Sequence, residues 1–223
     1  MESLEAELER ARALDTDDVA DAVESIGFEC TRCGACCTSE ADESHTATVF
    51  PDEVRELQGA TGDDRTWNDV ARPMPYGLDE GEGQTFEWAL QTDGCGDCTF
   101  YAEDEAGVGA CTVHEDRPLI CRTYPFSVAL GGTSQPMGEA VDSEGMVRAH
   151  ECEGLGREIS REDAEALAGA LKERAIRELE EAIGVRENYR PAEGSTVVHD
   201  SEGPKRPDGR EIGDTTNRGD THE

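Results

Sequence analysis

The chain has 223 residues, with 52 acidic and 20 basic side chains and a formal net charge of −32. No basic run offsets the repulsion of phosphates, so we expect neither a nucleic acid nor an anionic membrane as a partner. Leu, Ile, Val and Phe make up only 36 of the 223 residues, a fraction that is typical of disordered chains at this charge. The nine cysteines offer a second source of stability through metal coordination.

The acid excess is accompanied by a shortage of lysine, since only Lys172 and Lys205 are present. This combination is typical of extreme halophiles such as haloarchaea, whose proteins stay hydrated in concentrated salt that screens their self-repulsion. The first ten residues, MESLEAELER, have no basic or apolar signal region, and no window is apolar enough to span a bilayer. We therefore predict a soluble cytoplasmic protein, in which close thiols bind metal more often than they form disulfides.

Two short helices are predicted before the first cysteine, in an N-terminal helical arm over residues 1–25. Apolar residues recur at helical spacing over residues 4–11 and again over residues 19–26. Thr16 is the candidate N-cap of the second helix, and Gly27 is its candidate end.

Residues 26–156 predict a small cysteine-rich α+β domain that is irregular between its elements. The segments TATVF (46–50) and TFEWALQT (85–92) are strand candidates. The segment PDEVRELQ (51–58) begins with a proline and two acids, as helices often do. We expect metal coordination to hold these short elements together.

Residues 157–189 predict a C-terminal amphipathic helix, the clearest element in the chain. Ser160 and Asp163 resemble a capping pair, and Gly184 offers the end of the helix. The apolar stripe consists of Leu167, Leu171, Ile176, Leu179 and Ile183. Such a stripe predicts core packing, with packing against a partner helix as the alternative.

The last segment, residues 190–223, lacks apolar periodicity and is rich in Gly, Pro and charged residues. It is therefore predicted to be a disordered acidic tail. Truncation after Tyr189 is expected to leave the rest of the fold intact.

Four cysteines fall within eight positions of the run CTRCGACC: Cys30, Cys33, Cys36 and Cys37. A C-x-x-C turn brings two sulfurs to the separation needed to hold one tetrahedral ion, with bonds of about 2.3 Å for zinc. Cys36 and Cys37 are adjacent, and adjacent side chains diverge on a helix or a strand. We therefore expect them to serve different metal ions, or one of them only to pack, so that the run joins two sites.

The second group comprises Cys95, Cys98, Cys111, Cys121 and Cys152. Together, the two groups supply thiolates for two four-coordinate ions with one to spare. Arg117 and Arg122 flank Cys121, where they either offset thiolate charge or form surface ion pairs. Pro118 predicts a helical turn that places Cys121 near a helix N-terminus, which favours a thiolate. His114 and His150 lie close to cysteines in sequence and are alternative ligands.

The pattern of cysteines resembles the YkgJ-type cysteine-cluster family, which is described as a zinc- or iron-chelating domain. The resemblance covers residues 26–156 and rests on the CxxCxxCC run, the segment from Cys98 to Phe126 with its Arg-Pro and Cys-Arg pairs, and the cysteine of CEGLG. It implies eight metal ligands, which are Cys30, Cys33, Cys36, Cys37, Cys98, Cys111, Cys121 and Cys152. Cys95 is the additional cysteine.

The leading hypothesis is a metal-binding protein that chelates zinc or iron through these thiolates. The alternative is an iron–sulfur protein with electron-transfer or oxidoreductase activity, because bacterial ferredoxin clusters also begin with C-x₂-C-x₂-C. Thiol redox chemistry is a third hypothesis, although neither C-x-x-C pair lies in a βαβ pattern. No catalytic triad, P-loop or dinucleotide fingerprint is present, so no catalytic residue is predicted. The protein partner, if there is one, stays open.

Overall fold

The computed structural model describes residues 3–39, 44–61, 65–130 and 139–213 and has an α+β architecture. The helices of this part are α1 (Leu4–Arg12), α2 (Thr16–Ile26), α3 (Pro51–Thr61), α4 (Leu119–Thr123) and α5 (Arg161–Asn188). Its strands are β1 (Thr48–Val49), β2 (Ala71–Pro73), β3 (Leu78–Asp79), β4 (Glu82–Thr85), β5 (Trp88–Leu90), β6 (Tyr101–Glu103), β7 (Gly109–Cys111), β8 (Phe126–Val128), β9 (Asp142–Glu144), β10 (Val147–Ala149), β11 (Thr196–Asp200) and β12 (Gly203–Lys205). None of these helices has the length and apolar character needed to cross a membrane.

The first core lies where α1, α2 and the long helix α5 meet a three-stranded sheet. Leu8, Val23 and Leu171 pack in one cluster with Phe126 and Ala149. In the sheet, β10 is the central strand and pairs antiparallel with both β8 and β9. The two N-terminal helices and the C-terminal helix are therefore packed together, although they lie at opposite ends of the described chain.

The N-cap of α2 differs by one residue from the sequence-based expectation. The side chain of Asp15 accepts a hydrogen bond from the backbone N–H of Asp17 at 2.9 Å, so Thr16 is the first helical residue. Gly27 ends the helix with a φ of +78°, a conformation that glycine adopts at low cost.

Helix α5 lies within the predicted residues 157–189 and begins after Ser160, but it does not end at Gly184. The backbone N–H of Asp163 donates to the hydroxyl of Ser160 at 3.1 Å, and the apolar stripe of the helix is buried or half-buried in the first core. The helix continues through Gly184 to Asn188, so the predicted end at Gly184 is wrong. A Cβ atom at Gly184 would lie 2.6 Å from the Cβ of Ser201. This glycine therefore permits close packing against the following strand pair instead of ending the helix.

The second core lies on the cysteine-rich side of the molecule. Val54 and Leu57 of α3 pack with Val49, Trp88 and Phe100. The adjoining sheet has the order β1-β5-β2, and β5 pairs antiparallel with both neighbours. The predicted strand in TATVF is therefore present as β1, whereas TFEWALQT is divided between the end of β4 and the whole of β5, which belong to different sheets.

The predicted disordered tail is wrong for the strands that begin at residue 196. Strand β11 pairs parallel with β4 and antiparallel with β12, in a sheet of order β12-β11-β4-β3. Val197 and Val198 are fully buried, and Val198 belongs to the second core. The pairing of β11 with β4 joins distant segments of the chain, which local periodicity does not reveal. Residues 214–223 of the predicted tail lie outside the described residues.

A buried ion pair fastens this strand pair to the second core. The carboxylate of Asp200 accepts the indole N–H of Trp88 at 2.8 Å and lies 2.8 Å from the ammonium group of Lys205. The side chains of Lys205 and Asp200 are only 2% and 1% exposed. A buried charge requires a partner, and Lys205 has two, since its ammonium group also lies 2.5 Å from the partly exposed carboxylate of Glu202.

Candidate metal centre

The CxxCxxCC run forms a tight turn that is neither helix nor strand. Gly34 has a φ of +81°, and its carbonyl oxygen accepts the backbone N–H groups of Cys37 at 2.7 Å and Thr38 at 3.1 Å. The ring of Tyr101 covers this turn, since a Cβ atom at Gly34 would lie 2.1 Å from the hydroxyl oxygen of Tyr101. Glycine is thus required at this position both by the backbone conformation and by the overlying ring.

The thiols of Cys36 and Cys37 converge, because the run turns at this point. Their Sγ atoms are 3.8 Å apart, so the expectation that adjacent side chains diverge is wrong here. The pair lies at the junction of the two groups of cysteines, because, in addition to burial, the charge of Cys36 raises the pKa of both Cys98 and Cys152. A hydrogen bond from Cys37, assisted by the charge of Arg117, lowers the pKa of the Cys36 thiol to about 7. The same hydrogen bond, together with burial, raises the pKa of Cys37.

Four cysteines from separate segments lie against the second core, and we call them the inner cysteines: Cys37, Cys98, Cys111 and Cys121. The backbone N–H of Cys98 donates to the carbonyl of Cys37 at 2.8 Å, which joins the CxxCxxCC run to the segment before β6. The antiparallel pairing of β6 with β7 sets Cys111 opposite Tyr101. Cys121 lies in the short helix α4. Long-range pairing therefore brings together thiols that are up to 84 positions apart in the sequence.

Burial strongly disfavours ionisation of the inner cysteines when no metal is bound. Cys98 is 7% exposed, and its burial, with the nearby thiols of Cys111 and Cys36, raises its pKa to about 11. Burial, followed by the charges of Cys98 and Cys111, likewise raises the pKa of Cys121. The predicted benefit of a helix N-terminus for Cys121 is therefore outweighed by burial. A metal ion supplies the positive charge that would make these thiols thiolates.

A buried carboxylate that the sequence reasoning overlooked holds α4 in place. Glu53 is 7% exposed, and it accepts the backbone N–H of Leu119 at 2.8 Å and that of Phe50 at 3.0 Å. It therefore links the start of α3 to the start of the helix that carries Cys121. The sequence predicted an acidic residue in the first turn of α3. It did not predict the contact with Leu119, because the two residues are 66 positions apart.

The other four predicted ligands lie outside the second core as the structure describes it, and we call them the outer cysteines: Cys30, Cys33, Cys36 and Cys152. Phe28 forms an antiparallel bridge with Leu155, and the backbone N–H of Glu29 donates to the carbonyl of Gly154 at 3.0 Å. These contacts set the start of the CxxCxxCC run beside the loop that carries Cys152. A Cβ atom at Gly154 would lie 2.3 Å from the carbonyl oxygen of Glu29, so the approach requires glycine.

The remaining candidate residues from the sequence are two histidines, an arginine and the additional cysteine, and they belong to neither set of cysteines. His150 is buried and hydrogen-bonds the hydroxyl of Ser127 at 2.9 Å through Nε2, while His114 is exposed beside Glu115. Arg117 donates through Nε to the carbonyl of His114 at 2.9 Å, and its charge lowers the pKa of Cys36. Cys95 is exposed, and its backbone N–H is bound by the carboxylate of Asp93.

All nine cysteines are free thiols. Within the four described ranges, no three His, Cys, Asp or Glu side chains are arranged closely enough to hold a metal ion. The donor set nevertheless fits zinc or iron, because soft thiolates are the ligands that these metals take in closed protein sites. The four inner cysteines pack against one core, and coordination requires their thiols to converge further.

Comparison with known families agrees with this chemistry. A family model described as "CxxCxxCC: Putative zinc- or iron-chelating domain" matches residues 29–153. The chain belongs to this family. The matched range begins one residue before Cys30 and ends one residue after Cys152, so it contains the inner and outer cysteines. No curated protein and no solved structure gives a significant match to this chain.

Proposed function

We propose that this protein binds zinc or iron through the inner and outer cysteines, as two four-coordinate thiolate sites. The observation that carries the proposal is the convergence of the four inner cysteines on one apolar core. Membership of the CxxCxxCC family supports the same chemistry. Protonated thiols in an apolar core gain little from one another, whereas a bound cation stabilises them as thiolate ligands.

The chain's own residues prepare the site in three ways. The turn at Gly34 brings the thiols of Cys36 and Cys37 to 3.8 Å from each other. The pairing of β6 with β7 presents Cys111, and Glu53 fixes the helix that carries Cys121. A bound metal ion would cross-link the chain segments that carry these cysteines. A site filled by four thiolates leaves no open coordination position, so the proposal includes no hydrolytic chemistry.

Elemental analysis with an ultraviolet–visible spectrum tests this function on protein purified without oxygen in high salt. We expect about two zinc or iron ions per chain, since eight thiolates fill two tetrahedral sites. Cys98→Ser should lower the metal content, while Cys95→Ser, an exposed cysteine outside both sets, should leave it unchanged. A metal-free wild-type chain would contradict the proposal.

The iron–sulfur alternative has no support among these observations, and the same experiment separates it from the proposal. Iron with acid-labile sulfide and a broad visible absorbance band would indicate a cluster. Zinc or iron without sulfide would indicate simple chelation.

A further inference from the structure

The inner and outer cysteines differ in their exposure, and we infer that they form two metal sites with different tasks. The inner site holds the second core together. The outer site takes up a divalent ion as cargo and releases it. This inference rests on the proposed function and deepens it. It assigns the structural metal ion to the inner cysteines and the transferable metal ion to the outer cysteines.

The inner site is more enclosed than the outer site. Cys98 is 7% exposed, and Cys37, Cys111 and Cys121 are half-buried against the same core. Main-chain hydrogen bonds hold the segments on both sides, from Cys98 to Cys37 and from Thr112 to Phe100. Release of a metal ion held there requires these packed segments to separate, so its loss should be slow and coupled to local unfolding.

The outer site is open to solvent. Cys30, Cys33 and Cys36 are exposed, and Cys152 is half-buried in the irregular loop after β10. No tertiary core in the described part of the chain closes over these thiols. A competing ligand can therefore reach the metal–sulfur bonds without any change in the fold.

A cavity of about 500 Å³ opens beside the outer site and supplies a route of approach. Cys30 lines it together with Phe28, Arg117 and Arg122. This volume lies in the range of small-molecule sites. A low-molecular-mass chelator of divalent metal therefore fits next to the Cys30 thiol, which makes such a compound the expected donor or acceptor of the ion.

Release from the outer site is ligand exchange and changes no oxidation state. Each metal–sulfur bond that breaks is replaced by a bond to a donor atom of the chelator. The thiolates set free take up protons from solvent, and uptake of the ion reverses both steps.

Zinc release from the full chain tests the inference. The zinc-loaded protein in oxygen-free high-salt buffer is mixed with excess 4-(2-pyridylazo)resorcinol, and the coloured zinc complex is followed with time. We expect about half of the zinc in a fast phase and the rest in a phase slower by about tenfold or more, a difference of about 1.4 kcal/mol in barrier. Cys152→Ser should remove the fast phase and leave the slow one, whereas Cys98→Ser should remove the slow phase.

Alkylation of the wild-type chain tests, without any substitution, which cysteines lose their metal in the fast phase. After the fast phase, iodoacetamide followed by mass spectrometry should find label on the outer cysteines and little on the inner ones. Release of both ions at one rate, a single ion per chain, or early labelling of the inner cysteines would overturn the inference while leaving metal binding intact. A chain that binds no zinc or iron would instead overturn the proposed function.

Discussion

The hydroxyl of Tyr101 lies directly above Gly34, at a point where a Cβ atom of residue 34 would come within 2.1 Å of it. This contact joins the turn of the CxxCxxCC run to strand β6 and the hairpin that carries Cys111. The side chain of Tyr101 is held from the other side, because its hydroxyl donates to Glu103 at 2.6 Å. A larger residue at position 34 would have to displace this hydroxyl and also adopt a φ of +81°, which glycine alone adopts at low cost.

Gly34→Ala should weaken both the fold and metal binding. The substitution places a Cβ atom in the Tyr101 ring at a φ of +81°, and we expect a loss of about 2 kcal/mol or more in the free energy of unfolding. Chemical denaturation and metal analysis measure the two effects. The matched control is Gly59→Ala in α3, where a Cβ atom meets nothing within 4 Å, and it should stabilise the chain by about 0.5–1 kcal/mol. Equal effects of the two variants would contradict this reading of the turn.

Asp200→Ala should be strongly destabilising. It leaves the ammonium group of Lys205 with only the partly exposed carboxylate of Glu202 and the indole N–H of Trp88 without an acceptor, at a cost of about 3 kcal/mol in the free energy of unfolding. The control is Glu9→Ala, which breaks an exposed pair with Arg12 and should cost about 1 kcal/mol or less. Urea denaturation measures the free energy of unfolding of both variants. If Asp200→Ala loses no more of it than the control does, Asp200 does not stabilise the buried Lys205 and Trp88.

Truncation after Tyr189 should also destabilise the chain, contrary to the expectation from the sequence. It removes β11 and β12 and with them the buried side chains of Val197 and Val198. We expect a lower midpoint of thermal unfolding than for the full chain. The control is Glu9→Ala, which breaks an exposed ion pair and should leave the midpoint nearly unchanged. An unaltered midpoint for the shorter chain would show that the strand pair adds nothing to stability.

His45 should make stability depend on pH below neutrality. Burial, followed by the charge of Arg72, lowers the pKa of its imidazole to about 4, from an ordinary value of 6.5. As the pH falls, the unfolded chain therefore binds a proton at His45 before the folded chain does. The contribution of neutral His45 to the free energy of unfolding is complete above pH 6.5 and is lost as the pH falls towards 4. Between about pH 7.5 and pH 5 the loss amounts to about 2 kcal/mol.

The measurement for His45 compares urea denaturation of the wild type and His45→Gln at both pH values. The protonation of thiolates is common to the two proteins, so the difference between their pH slopes isolates the imidazole. The variant should lose less stability on acidification. Parallel slopes for the two proteins would exclude this role of His45.

Removal of metal should affect the two cores unequally. The cysteines lie against the second core or in loops, whereas α1, α2 and α5 pack in the first core without any of them. Treatment with a chelator should therefore lower the midpoint of thermal unfolding while retaining most of the helical circular dichroism signal. Complete loss of the helical signal would show instead that the first core depends on the metal.

The sequence by itself determined the parts of this protein that depend on local patterns. The spacing of apolar residues located α1, α2 and α5, because a helix buries residues that recur within a few positions of one another. The Ser160 cap was also predicted, because the hydroxyl bonds a backbone N–H only three positions away. The spacing of the cysteines identified the metal chemistry, because a C-x-x-C turn is a short-range structure, and the family comparison agrees with it.

The tertiary structure alone decided which distant residues meet. The pairing of β11 with β4, the carboxylate of Glu53 on Leu119 and the close approach of Gly154 to Glu29 join segments that are 66 to 125 positions apart. Such contacts leave no periodic signal in the chain. The division of the cysteines into inner and outer sets has the same origin, because exposure depends on what packs over a thiol and not on its neighbours in sequence.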